Sequence, residues 1–169
     1  NPLTGALFLA AIVWASFAAD AWRLAIAAIL AVIVATLTAQ WLRVDSNELE
    51  SGLYGYNATL VGLTLATFLA PGPLLWFYVV FGAVISVITT RATFNLLKPW
   101  GLPALTFPFV LVAWLMLLAT YGFAGLGGTS LPSGAVVGAY QPYHTDPLDI
   151  LGFVQGILKS ISQVFLKAD

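Results

Sequence analysis

Four long stretches of this sequence carry no Asp, Glu, Lys, Arg or His: residues 1–19, 24–42, 51–90 and 99–143. A helix needs about 20 mostly apolar residues to cross the hydrocarbon of a bilayer. Inside it, every backbone N–H and C=O must be bonded within the protein. Charge-free runs of this length therefore favour helices that cross or enter a membrane. The composition agrees, with 60% hydrophobic and 8% charged residues and a mean hydropathy of +0.96. A soluble domain usually carries about 25% charged residues. A disordered chain, a nucleic-acid binder with a basic face and an ordinary soluble enzyme are excluded. With no Cys and His144 as the single histidine, thiolate chemistry is absent and a His-built metal centre or triad lacks its parts. No cofactor or metal is expected.

The charges and prolines punctuate an all-α integral membrane protein. Spans are expected at about 3–19, 24–43, 56–70, 74–97 and 103–121. Asp20 and Arg23 mark the exit of the first. Trp41 with Arg43 anchors the second at the interface. Pro71-Gly72-Pro73 cuts the long third run, because proline cannot donate and restricts the residue before it. A Gly/Ser/Pro-rich loop covers 122–147. Residues 148–168 form an amphipathic or spanning helix, with Ile150, Val154, Ile157, Ile161, Val164 and Phe165 recurring at helical spacing.

Two segments look broken at membrane depth, where irregular backbone survives only within protein or beside a watery cavity. One is 51–62, where Gly52 and Gly55 precede Tyr56-Asn57. It reads either as a tight turn into a polar-tipped helix or as a loop and N-cap on an ordinary span. The other is 101–109, where Pro103 and Pro108 flank Thr106. It reads as a cavity-lining break or as a proline-kinked helix whose threonine bonds its own backbone. Thr106, and also Thr59, would offer hydroxyls to a lumen. Tyr56, Phe107 and Phe109 would offer ring faces, with Leu3 close by. Little fixed charge is present. An ion would need paired charges or rings of them. The chemistry suits a small neutral polar solute.

The same segments carry a resemblance. Gly52-Leu53-Tyr54-Gly55-Tyr56-Asn57 with Leu60-Val61-Gly62, then Leu102-Pro103-Ala104-Leu105-Thr106-Phe107-Pro108-Phe109, and the opening Asn1-Pro2-Leu3-Thr4-Gly5, strongly resemble the urea transporter family. LPxxTxPF is the most specific of the three, GLYGYN nearly so, and NPxxG alone would be weak. They occur in the family's order, and the similarity runs over nearly the whole chain.

The resemblance implies two homologous halves of inverted topology, with about five transmembrane helices and a re-entrant half-helix per repeat. It implies a pore in each protomer, and trimers of protomers in a lipid bilayer, in the plasma or inner membrane. Urea would pass downhill between aromatic rings and along a ladder of oxygens. Carried over by residue, Thr106 matches the pore threonine, and Tyr56 and Leu60 match slot positions. Leu3 matches a slot position that is often aromatic in the family. Asp169 stands where the family places a polar or acidic pore residue. Each motif occurs once here, so residues 1–169 are expected to be a single repeat, most like the first. Its second repeat would lie in the same chain or another.

The remaining features have plainer readings. Glu48 and Glu50 are expected in a solvated acidic loop, His144 and Asp146 in an exposed loop, and Arg91 and Lys98 at headgroup level. Channels for another small neutral solute (an amide, ammonia or water) and an ion-coupled carrier are the alternatives. A non-transporting scaffold is a third, and an intramembrane enzyme is remote because no nucleophile–base pair is available.

Overall fold

Helices are the regular elements throughout the described part of the structure, a computed structural model that describes residues 2–120. In chain order they are α1 (Pro2–Ala18), α2 (Trp22–Trp41), α3 (Ser46–Glu50), α4 (Leu53–Phe68), α5 (Pro73–Leu97) and α6 (Phe107–Thr120), with a 3-10 turn at Lys98–Trp100 before α6. Two of them, Trp22–Trp41 and Pro73–Trp100 taken through the 3-10 turn, are long and apolar enough to cross a membrane.

Local chemistry sets the helix ends. Proline occupies the first turn of α5 at Pro73, where its missing N–H costs nothing. The C-termini of α1 and α2 share one device. Ala21 N–H reaches back to the Ser16 carbonyl and Asp20 N–H to Phe17, while Val44 N–H reaches Ala39 and Arg43 N–H reaches Gln40. Asp20 (φ 51°) and Arg43 (φ 49°) turn left-handed to allow it. The charges that mark the span ends thus sit on the turns that close the helices.

The packing is inverted relative to a soluble bundle. Alanines at 27, 31, 35 and 39 form a fully buried ridge along α2, while Ile26, Ile29, Ile33 and Leu37 face outward. Small residues let helix backbones approach closely where lipid removes the usual hydrophobic drive. Helices α2, α4 and α5 pack mutually, with α1 against α2 and α6 against α4 and α5. The Gly82 position on α5 lies against Leu65 and Val61 of α4 and Met116 of α6. Trp14, Trp22, Trp41, Trp100 and Trp114 are exposed, whereas Trp76 packs against the core.

Three differences from the sequence reading follow. The stretch 45–50 is not simply a loop: Asp45 caps the short helix α3 by accepting the Asn47 N–H at 2.9 Å. Helix α4 starts at Leu53, ahead of Tyr56, because left-handed Gly52 (φ 77°) turns the chain into it. Helix α6 starts at Phe107 and not at 103, because the chain from 102 to 106 is irregular and Leu105 turns left-handed at φ 46°. The loop expected at 122–147, the helix expected at 148–168 and Asp169 lie outside the described residues.

Candidate functional site

The irregular segment before α6 leaves backbone groups that need partners. Within the first turn of α6, Phe107 N–H bonds the Ala104 carbonyl, Val110 N–H bonds the Thr106 carbonyl, and Pro108 has no N–H to satisfy. Phe109 N–H donates to the Asn57 Oδ1 at 3.2 Å. A side chain of α4 therefore completes the cap of α6, one of the donors that every helix N-terminus leaves open.

Asn57 does more than cap. Its Nδ2 donates to the Leu53 carbonyl at 2.9 Å within α4, and to the Leu105 carbonyl at 3.1 Å in the irregular segment. The residue is fully buried. A carboxamide has two N–H donors and a carbonyl acceptor, and here all are engaged. Two carbonyls and one N–H around the group also fix which end is nitrogen. Asn57 thereby ties the segment carrying Thr106 to the helix carrying Tyr56 and Leu60. Those two residues are one turn apart on α4 and share a face.

Of the expected site residues, Thr106 is half-buried, and its hydroxyl takes no hydrogen bond from the described residues. Thr59 differs: its hydroxyl donates to the Gly55 carbonyl of its own helix at 2.8 Å. Helical position explains the contrast, since Thr59 has a carbonyl four residues back on the same face and Thr106 precedes its helix. Leu60 is half-buried. Phe109 packs against the core, while Phe107 is 53% exposed and Leu3 67% exposed. Tyr56 is 39% exposed and pairs with Phe8 of α1, ring centroids 5.4 Å apart at 50°.

An open groove of about 870 Å³ runs between α1, α2, the end of α3 and the start of α4. Thr4, Phe8, Thr36, Glu50, Tyr56 and Thr59 are among the residues lining it. Tyr56 belongs to it, whereas Leu60 and Thr106 lie outside its lining.

Two charged residues hold the structure near this end of the bundle. Tyr54 donates its hydroxyl to the Glu48 Oε2 at 2.9 Å and meets Phe94 edge-on at 5.7 Å. Glu48 is thus a tertiary partner, beyond the solvated role read from sequence. Arg91 Nη1 donates to the Leu42 carbonyl at 2.8 Å, placing a cation on the C-terminus of α2. Arg91 thus also closes a helix end, a role beyond the headgroup level expected from sequence. Among the described residues, no group of three or more His, Cys, Asp or Glu side chains could hold a metal.

The sequence reading quoted Asn57 inside a motif without giving it a role. One signal was available: a carboxamide within an apolar helical segment must find several partners or pay for burial.

Comparisons with known proteins point the same way as the motifs. The matched part of the chain is 34% identical over 123 residues to "Urea transporter 1" of Rattus norvegicus, covering 71% of this chain and 31% of that protein. It is 32% identical over 126 residues to "Urea transporter 1" of Ovis aries, covering 73% of this chain and 32% of that protein. The match thus spans about a third of the length of these curated relatives. The profile of the family described as "Urea transporter" matches residues 1–169, and the chain belongs to that family of helical membrane proteins.

Proposed function

We propose that this chain forms one of two homologous, inverted halves of a channel-like pore that passes urea down its gradient. The observation that carries the reading is family membership over residues 1–169. Urea is small, planar and neutral, with N–H donors on both sides of a carbonyl. A path of ring faces and oxygens can replace its water without fixed charge. In this reading Tyr56 and Leu60 shape the slot, with Leu3, Phe107 and Phe109 lining its approaches. Thr106 supplies an oxygen along the path, and Asp169 a polar group.

Helix α4 supports a re-entrant role. Its 16 residues rise about 24 Å, short of a hydrocarbon core of about 30 Å. A half-helix opened by left-handed Gly52 accounts for its length. The assembled transporter is read as a trimer, integral to the plasma or inner membrane.

The test is urea flux in liposomes carrying the full transporter, followed by light scattering after a urea jump. Rapid urea entry with no current and no dependence on a pH gradient is expected. A transport current would move the reading to an ion-coupled carrier. Passage of formamide, ammonia or water without urea would move it to another neutral solute. Absence of flux for every solute would leave a scaffold.

A further inference from the structure

We propose that Asn57 is a positioning residue of the pore. By bonding the Leu105 carbonyl and the Phe109 N–H, it sets the height and orientation at which Thr106 presents its hydroxyl. The inference rests on the urea-transport reading and extends it to a residue that does not itself need to touch solute.

Three observations converge on this role. Asn57 is fully buried and has spent its whole carboxamide, yet only one of its three bonds stays within its own helix. The other two, at 3.1 and 3.2 Å, end on residues that flank Thr106 in sequence. The Leu105 carbonyl and the Thr106 N–H belong to one planar peptide unit, so holding the first orients the second. Finally, Leu105 keeps a left-handed backbone (φ 46°) while its side chain is 60% exposed. Within this chain, a bonded carbonyl and not side-chain packing accompanies this costly conformation.

The role separates from simple fold support because it acts through Thr106. In the full transporter, Asn57→Ala is expected to lower urea flux roughly tenfold, the scale of a lost buried hydrogen bond. Discrimination between urea and methylurea should fall with it. Asn57→Leu has nearly the same size and brings no buried charge against the Leu53 and Leu105 carbonyls, so it should keep the packing of α4 and still lose the hold on Leu105. Thr106→Val added to either variant should cost little more, because two changes along one chain of contacts are not additive.

Amide hydrogen exchange over 104–110 reads the clamp without any solute, and faster exchange in both variants is expected. Faster exchange with unchanged flux and selectivity overturns the positioning role. So does unchanged exchange in Asn57→Leu, and so do additive losses with Thr106→Val. If the unmodified transporter passes no urea, the transport reading fails instead, and the exchange arm alone decides whether the clamp exists.

Discussion

Gly62 of α4 lies directly against the backbone of Ala27 in α2: a Cβ built on Gly62 would sit 2.8 Å from the Ala27 carbonyl oxygen. It would also lie 2.8 Å from the Ala31 Cβ. The neighbours are a backbone atom and the shortest of side chains, so neither can swing aside. The two helices touch through their main chains here, and the α2 alanine ridge exists to permit it.

Gly62→Val is therefore expected to destabilise the protein by about 1–3 kcal/mol, the range for overpacking a close contact. Thermal unfolding in detergent measures it. Gly5→Ala is the control, since nothing lies within 4 Å of a Cβ there. Equal melting temperatures for the two variants would sink the close-approach argument.

Leu105 should distinguish residues by backbone and not by bulk. At φ 46°, Leu105→Ile places a β-branched residue where it is most strained and should cost about 1–3 kcal/mol. Leu105→Gly should keep or raise the melting temperature. The reverse order would show that the side chain, not the backbone, matters there.

Thr106→Val keeps the shape of the side chain and removes its hydroxyl. Under the urea reading, flux should fall roughly tenfold, as expected for one hydrogen-bond position lost from a desolvated path. Light-scattering assays at matched protein levels check this. Unchanged flux with normal expression removes Thr106 from the pathway.

Tyr56→Ala removes the ring that meets Phe8 at 5.4 Å. The expected outcome is weaker discrimination between urea and bulkier amides, with total flux kept or raised. Competition between urea and methylurea in the same liposomes measures the ratio. A selectivity identical to that of the unmodified protein would show that Tyr56 does not shape the slot.

Individual helix ends were legible in the sequence where proline, glycine and charge act locally. Pro73 opens α5, and Asp20 and Arg43 lie on the turns that end α1 and α2. The exact start of α6 was less legible. Two prolines mark a break without saying how far it extends, and that depended on the left-handed turn at Leu105. Tyr56 and Thr106 were nameable from their motifs. The link between them was not, since it runs through Asn57 to residues about 50 positions away, with sequence separations of 48 and 52. The partners of Arg91 and Glu48 were hidden for a similar reason. The sequence places Glu48 in an acidic stretch and Arg91 at a helix end, but each bonds a group on another element.

The amino-acid sequence by itself determined the long apolar runs between its charges, the prolines and glycines that interrupt them, and which family its motifs resemble. Those properties follow from hydropathy and from backbone chemistry that acts over a few residues. The tertiary structure alone decided which broken segment meets which helix. It made Asn57 the cap of α6, set Gly62 against Ala27, and put Arg91 on the end of α2. Such pairings depend on two distant pieces of chain arriving at bonding distance, and no local preference encodes that distance.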